Sequence, residues 1–269
     1  MTNDNPLANR PLSVNPYRHG KSLIKKRFKW DLKREAWRSR RKLKSIRDQY
    51  IGNKVVILCN GPSLLDVDFE LLEKSGVNTF GLNKINLLFD KVSFRPSFIA
   101  AVNPLVIEQN LEFFNQTDIP LFIDSEAIKL GVRARENTVY LHSTNIKGEF
   151  ARDCSWSIFQ GYTVTYVAMQ LAYHMGFKEV ALVGCDHDFV TKGPANKTVV
   201  SGELDPNHFD PNYFANGVKW HLPDLSESEV AYKLAGDMYE ISGRRIVNAT
   251  SGGKLEIFPR TSLNEFLEK

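Results

Sequence analysis

The sequence predicts an α/β protein built on a mostly parallel sheet with helices on both faces. Three observations carry this. From Ile51 onward, short β-rich runs alternate with longer stretches of helical periodicity. The runs are continuously apolar, as in Val55-Val56-Ile57-Leu58, which suits strands buried on both faces. The chain has 269 residues, 42% hydrophobic and 25% charged, enough for one large domain with an appendage.

Residues 1–20 hold three prolines among Asn, Ser and Arg and are expected to form a disordered tail. Residues 21–50 read as one basic amphipathic helix. Phe28, Leu32, Ala36, Leu43, Ile46 and Tyr50 recur at helical spacings, and Trp30 and Trp37 lie seven apart on a neighbouring face. Residues 21–48 hold 13 Lys/Arg against Asp31, Glu35 and Asp48, although the whole chain is only +4. Everything after this segment is therefore acidic on balance. Such a helix suits an anionic surface, bilayer headgroups before nucleic acid. The alternative is a solvated helix packed on the domain by its narrow apolar stripe. No RNA-binding aromatic signature or zinc spacing supports specific nucleic-acid binding.

Residues 51–269 read as a single α/β domain. Strands are expected at 54–59, 77–82, 97–102, 119–123, 138–141, 179–184 and 244–248. Helices are expected at 65–75, 84–89, 104–115, 162–176, 226–242 and 261–268, with Gly176 as a helix C-cap. Residues 188–224 break the alternation. They are rich in Pro, Gly, Asn and Asp, interleaved with Phe189, Phe209, Tyr213, Phe214 and Trp220. A structureless span of that length reads as a lid or a mobile loop.

No run approaches the roughly 18 apolar residues of a spanning helix. The polar N-terminus lacks an apolar signal core. A cytoplasmic location is expected, with peripheral attachment to the inner face of the membrane through 21–50 as an extension. Cys59, Cys154 and Cys185 have no ligand-like spacing and are expected as buried thiols.

Four motifs carry chemistry. In the first, the strand at Val55 runs into Asn60-Gly61-Pro62-Ser63, where Gly61 allows close approach, Pro62 suits a first helical turn, and Ser63 with free N–H groups can hold a phosphate. An ordinary β-turn-α is the alternative, and the motif is neither a Gly-x-Gly-x-x-Gly nor a Gly-Lys-Ser/Thr loop. The second places Gly161, Tyr162 and Thr163 at a helix start, and Asp186-His187-Asp188 at the carboxyl end of a strand, where open α/β sheets bind ligands. Those carboxylates could take a metal or a sugar hydroxyl, or merely cap the loop. The third is His221, a candidate general base at the edge of the lid. The fourth is the turn Asn248 to Gly253, in which Asn248, Ser251 and Gly252 offer donors and close approach to a nucleotide. Asn83 and Asn103, after the second and third strands, join the candidate nucleotide-binding set.

The ordered set of Asn60-Gly61-Pro62-Ser63-Leu64, Gly81-Leu82-Asn83, Gly161 and Gly176 through Asp186 resembles the bacterial sialyltransferases of glycosyltransferase family 42. It is also similar to the family named after archaeal 6-hydroxymethylpterin diphosphokinase. The resemblance spans roughly residues 51–260 and implies a Rossmann-like fold. It further implies donor binding by Asn60, Gly61, Ser63 and Asn83, with His221 as the base beyond the lid. Asp186-His187-Asp188 departs from the sialyltransferase pattern, and the turn at Asn248 followed by Phe258-Pro259-Arg260 is closer to the diphosphokinase-like family.

Two activities follow as expectations. One is transfer of a sugar from a nucleotide donor, CMP-linked and sialic-acid-like by preference, to a glycan or lipid-linked acceptor in surface polysaccharide, lipopolysaccharide or glycoprotein assembly. It uses His221 and Asp186 and requires no cofactor. The other is ATP-dependent pyrophosphoryl transfer with Mg²⁺ held by Asp186 and Asp188. A nucleotide-binding accessory protein without activity is a third reading, and a homo-oligomer is compatible with all three.

Overall fold

The computed structural model describes residues 16–190 and 193–268. Seven strands form the central sheet: β1 (Lys54–Leu58), β2 (Asn78–Leu82), β3 (Phe98–Ala101), β4 (Leu121–Asp124), β5 (Thr138–Leu141), β6 (Glu179–Val183) and β7 (Arg245–Asn248). All pair in parallel, in the order β7-β6-β1-β2-β3-β4-β5. This is the expected Rossmann-like α/β fold. Every expected strand is present to within two residues at either end.

The sheet is buried on both faces, which is why its strands read as continuous apolar runs. Val55 and Ile57 of β1 face a core shared with α7 (Val164–Met175) and α8 (Leu225–Ile241). Val56 and Leu58 face the opposite core, under α3 (Phe69–Ser75), α4 (Pro104–Gln109), α5 (Leu111–Gln116) and α9 (Leu263–Glu268). The expected helix 104–115 is two helices, because Asn110 leaves helical geometry at φ −120°. The expected helix 84–89 is a short 3₁₀ turn, and 65–75 becomes a 3₁₀ turn at Pro62–Asp66 followed by α3. The short helix α6 (Ala127–Leu130) and two minor two-stranded ladders were not anticipated, because elements of two to four residues leave no periodicity to read.

The basic segment is not one helix. It forms α1 (Pro16–Asp31) and α2 (Arg34–Ile46), joined by an extended Lys33. The Asp31 carboxylate accepts from Arg27 at 2.8 Å and from Arg40 at 2.5 Å, and its carbonyl accepts from the Trp37 indole at 3.0 Å. The bend lets α2 lie along edge strand β5 with Ala36, Ser39 and Leu43 buried. Ser39 Oγ accepts from the Tyr140 amide at 2.9 Å, satisfying a donor of the exposed sheet edge. Packing on the domain thus accounts for α2. Of the expected tail, 16–20 belong to α1, and 1–15 lie outside the described residues. No helix among the described residues is long and apolar enough to cross a membrane.

The lid also departs from expectation. Its aromatics are core residues: Phe209, Tyr213, Phe214 and Trp220 are buried against the face of the sheet that carries Val56 and Leu58. Residues Thr198–Val200 pair antiparallel with Lys219–His221. The Phe209 amide donates to the Asn60 carbonyl at 3.0 Å. Aromatics spaced by turn-forming residues give no helical or strand period, yet they bury enough apolar surface to order the segment.

Candidate functional site

The chain builds β1 to β5 outward in one direction, then returns to place β6 and β7 on the other side of β1. The helices that follow β1 and β6, α3 and α8, lie on opposite faces of the sheet, and a crevice opens at the carboxyl ends of the two strands. A cavity of about 1700 Å³ fills this place. Its walls include Asn60 and Gly61 after β1, Asn83 after β2, Asn103 after β3, and Asp186 and His187 after β6. Tyr162 and Thr163 line it from the start of α7, His208 and His221 from the lid, and Lys26, Lys29 and Lys33 from α1 and the bend after it.

The turn after β1 is already occupied by an anion of the protein itself. Asp186 Oδ2 accepts from Ser63 Oγ at 2.8 Å and from the Ser63 amide at 3.2 Å. The Gly61 amide donates to the Gly184 carbonyl at 2.9 Å. Position 61 must be glycine for this, since a Cβ there would lie 1.9 Å from Asp186 Oδ2. The clamp ties the two strands at the crevice together. It corrects the expectation that Ser63 receives a ligand phosphate: its donors are spent and it is buried. Neither Ser63 nor Pro62 lines the cleft. Asp186 is correspondingly a clamp, not a free catalytic carboxylate. Asp188 is exposed and pairs with Lys254 at 2.8 Å. The Mg²⁺ pair is not assembled, and no group of three His, Cys, Asp or Glu among the described residues is placed to hold a metal.

Two amides at adjacent strand ends have unmet hydrogen bonds. Asn60 Oδ1 and Asn83 Oδ1 are buried without a partner among the described residues, and the Asn83 amide lies against the buried Tyr213 hydroxyl. A buried acceptor left unpaired costs roughly 1–3 kcal/mol. Asn83 also holds φ at +51°, a left-handed geometry that Asn tolerates better than most residues. By contrast, Asn103 Oδ1 caps α4 by accepting from the Leu105 amide at 2.9 Å, and Thr163 Oγ1 caps α7 by accepting from the Thr165 amide at 3.2 Å.

Two histidines line the cleft from the lid, and they differ in kind. His221 is exposed on its short strand, and its ring makes no hydrogen bond among the described residues. The ring of His208 is mostly buried, stacked on Tyr213 with centroids 4.0 Å apart and planes at 3°. Its Nδ1 lies 2.7 Å from Asp205 Oδ2. Asp205 is buried and also accepts from the amides of Asn207 at 2.8 Å and Phe214 at 3.1 Å, which fixes the carboxylate. A carboxylate on Nδ1 leaves Nε2 to meet a ligand. Beneath the lid, Lys84 donates to the Tyr213 carbonyl at 2.6 Å and to Gln109 at 2.8 Å. Burial pulls its ammonium down to about 8, against the opposing influence of Asp205.

The family described as 6-hydroxymethylpterin diphosphokinase MptE-like matches residues 32–192, more than half of the chain. The chain belongs to the MptE-like family. A comparison with curated proteins found no match. Among solved structures, the MAf glycosyltransferase from Magnetospirillum magneticum AMB-1 is similar with a TM-score of 0.48 and 17% identity, over 85% of this chain and 38% of that one. This chain therefore spans well under half the length of that protein.

In this MptE-like chain, the cleft gathers Asn60, Gly61, Asn83, Asn103, Tyr162, Thr163, Asp186 and His221 from the expected set. Four other expected residues serve the frame instead. Gly161 does not line the cleft; with φ +52°, a Cβ there would meet the Tyr166 ring at 2.3 Å, so the glycine lets the turn pack on α7. Asn248 is buried with both amide atoms used, on the Leu255 carbonyl at 2.9 Å and the Thr250 amide at 3.0 Å. Ser251 and Gly252 are exposed and off the cleft, and Arg260 holds the Gly252 carbonyl at 2.6 Å. That turn braces the clamp from behind, the Lys254 amide donating to the Asp186 carbonyl at 2.7 Å. Sequence reading missed the Asp205–His208 pair. Its signal was Asp205-Pro206-Asn207-His208, an Asp-led turn that brings residues three apart together.

Proposed function

We propose that this chain is a glycosyltransferase that seats a nucleotide-activated sugar in the switch-point cleft and passes the sugar to an acceptor hydroxyl. The observation that carries the reading is the pair of unpartnered amide oxygens, Asn60 Oδ1 and Asn83 Oδ1, at neighbouring strand ends on that cleft. They call for N–H or O–H donors. A phosphate offers none, whereas ribose hydroxyls and the exocyclic amine of cytosine do, and uracil lacks that amine. Adenine and guanine also carry an exocyclic amine and uracil an N3–H, so the preference for a CMP-linked donor rests on the resemblance to the sialyltransferases. With the Ser63 donors spent, the donor phosphate is assigned to the start of α7 at Tyr162–Thr163, where the helix dipole favours an anion even though the amides of Thr163, Thr165 and Tyr166 are already taken by Gln160 and Thr163. Lys26, Lys29 and Lys33 line the same cleft and add positive charge.

His208, held at Nδ1 by the Asp205 carboxylate, is the better-placed base. Its Nε2 takes the proton of the acceptor hydroxyl as the oxygen attacks the anomeric carbon. The bond from that carbon to the donor phosphate breaks, and the nucleotide leaves with the electron pair. His221 is the second reading, because it lines the same cleft from the rim. Transfer of pyrophosphate from ATP fits less well, since Asp186 and Asp188 are engaged apart from each other.

Thermal unfolding against CMP, UMP, GMP and ATP, with and without Mg²⁺, tests the reading. A ligand at a hundredfold excess over its Kd adds about 2.7 kcal/mol, or roughly 5–10 °C for a domain of this size. CMP should give that shift without Mg²⁺. His208→Gln should keep the shift and abolish hydrolysis of CMP-linked sugars, and His221→Gln should reduce hydrolysis less. If no nucleotide raises the midpoint of the folded protein, the proposal is wrong. Binding without turnover of any nucleotide sugar would instead favour an accessory role.

A further inference from the structure

Helix α1 presents two faces of opposite character. Its inner face, at Leu23, Arg27 and Trp30, turns to the domain, with Trp30 buried and 6.5 Å from the His142 ring. Its exposed face carries Ile24 and Phe28, which border the mouth of the cleft, followed one turn later by Leu32 at the bend, and these are 71%, 64% and 70% exposed. The Trp37 indole, bonded to the Asp31 carbonyl, brings a fourth large apolar side chain to the same bend at 65% exposure. Single exposed apolar residues are ordinary on a protein surface; four in one continuous stripe are not.

The stripe is set in positive charge. Residues 16–46 contain thirteen Lys/Arg and two acidic residues. One of the two, Asp31, is taken up by Arg27 and Arg40. Lys21, Lys25 and Lys29, on the same helix as the stripe, make no ion pair among the described residues. A narrow apolar ridge flanked by flexible unpaired ammonium groups is complementary to a bilayer interface. The apolar side chains enter the acyl boundary, and the lysines reach the headgroups.

We infer that α1 and the bend after it form a docking surface for anionic phospholipid bilayers, with Ile24, Phe28, Leu32 and Trp37 as the inserted side chains. The inference is independent of the proposed reaction. Because α1 also walls the cleft, docking holds the mouth of the cleft beside the headgroup layer, where an acceptor carried on a lipid would be presented.

The test is co-sedimentation of the full chain with sucrose-loaded vesicles of phosphatidylcholine, alone or with phosphatidylglycerol as about a third of the lipid. Each phosphatidylglycerol adds negative surface charge that lysines near the membrane sense. The protein should pellet with the mixed vesicles and at least tenfold less with phosphatidylcholine alone. Raising salt from about 0.1 M to about 0.5 M should release most of it, because screening shortens the reach of the lysines. The double variant Phe28→Ser with Leu32→Ser should lose at least tenfold in partition while keeping its unfolding midpoint, since both side chains are exposed and neither makes a hydrogen bond. Brominated acyl chains should quench Trp37 fluorescence relative to a Trp37→Ser control. Failure to pellet with mixed vesicles at the lower salt overturns the proposal. So does equal pelleting by the double variant, which would reduce the contact to charge alone. Binding to RNA or to a protein in place of vesicles overturns it as well.

Discussion

Replacing Gly61 by alanine tests whether the Asp186–Ser63 clamp holds the crevice together. The backbone at 61 has φ −71° and ψ 164°, where any residue is comfortable. By restricting the unfolded chain, the extra methyl would on its own stabilise by about 0.4–1 kcal/mol. In the fold it has no room. The new Cβ would lie 1.9 Å from Asp186 Oδ2, 2.8 Å from its Cγ and 2.8 Å from the Gly184 carbonyl. The carboxylate must move, and both hydrogen bonds from Ser63 go with it. Bonds to a charged acceptor are worth about 1.5–3 kcal/mol each. The expected net loss is thus about 2–5 kcal/mol, after the backbone gain is subtracted. At this chain length that lowers the midpoint by roughly 5–15 °C. Urea and thermal unfolding followed by circular dichroism measure it, and an Asp186→Ala background supplies the control. With the carboxylate gone, alanine at 61 should cost at least about 1 kcal/mol less than in the native background. Equal cost in both backgrounds, or a loss below about 1 kcal/mol in the native one, would refute the clamp.

Three further outcomes are expected. Asn60→Ala removes an unpaired buried acceptor at a position without positive φ, so it should leave stability unchanged or raise it by about 1 kcal/mol, while CMP affinity falls about tenfold; calorimetric titration and unfolding read the two effects separately. Burial, reinforced by Arg27, holds His142 down to about 4 from 6.5. Between those values the unfolded chain binds a proton that the folded chain refuses. His142 therefore contributes full stability above pH 6.5 and loses it as the pH falls toward 4, by at most about 3 kcal/mol, and His142→Leu should flatten this limb of the urea-midpoint profile. Lys84 follows the same sign higher up the scale: with its folded value pulled to about 8 from 10.5, the native protein should gain stability over Lys84→Met as pH rises through that window.

The sheet was legible because its physics is local. A strand buried on both faces is apolar through its middle, so each of the seven announces itself in four or five residues, and Gly176 marks its turn by conformational need. The cleft was half legible. That ligands sit at strand carboxyl ends is a rule of topology, and it suits Asn60, Asn83 and Asn103, while a helix start marked Thr163 and the edge of the lid marked His221. Which polar groups remain free there is a matter of pairing across long sequence separations. Ser63 reads as a phosphate donor in the sequence, but Asp186, 123 residues away, sits on its hydroxyl. Asn248 reads as a ligand group, but Leu255 and Thr250 occupy its amide. His221 reads as the oriented base because it stands at the edge of the lid, but the carboxylate that orients a histidine belongs to Asp205 and serves His208.

The basic N-terminal segment divides along the same line. Its charge and its helical period are properties of the sequence, and so is its suitability for an anionic surface. Where it bends, which face α2 gives to β5, and which side chains are left exposed were decided by the unpaired edge of the sheet and by the bonds that Arg27, Arg40 and Trp37 make to three different oxygens of Asp31. Composition and period are set residue by residue along the chain, so sequence determines them alone. Hydrogen-bond partnership is set by distance in space, and only the folded chain decides which donors and acceptors are already taken.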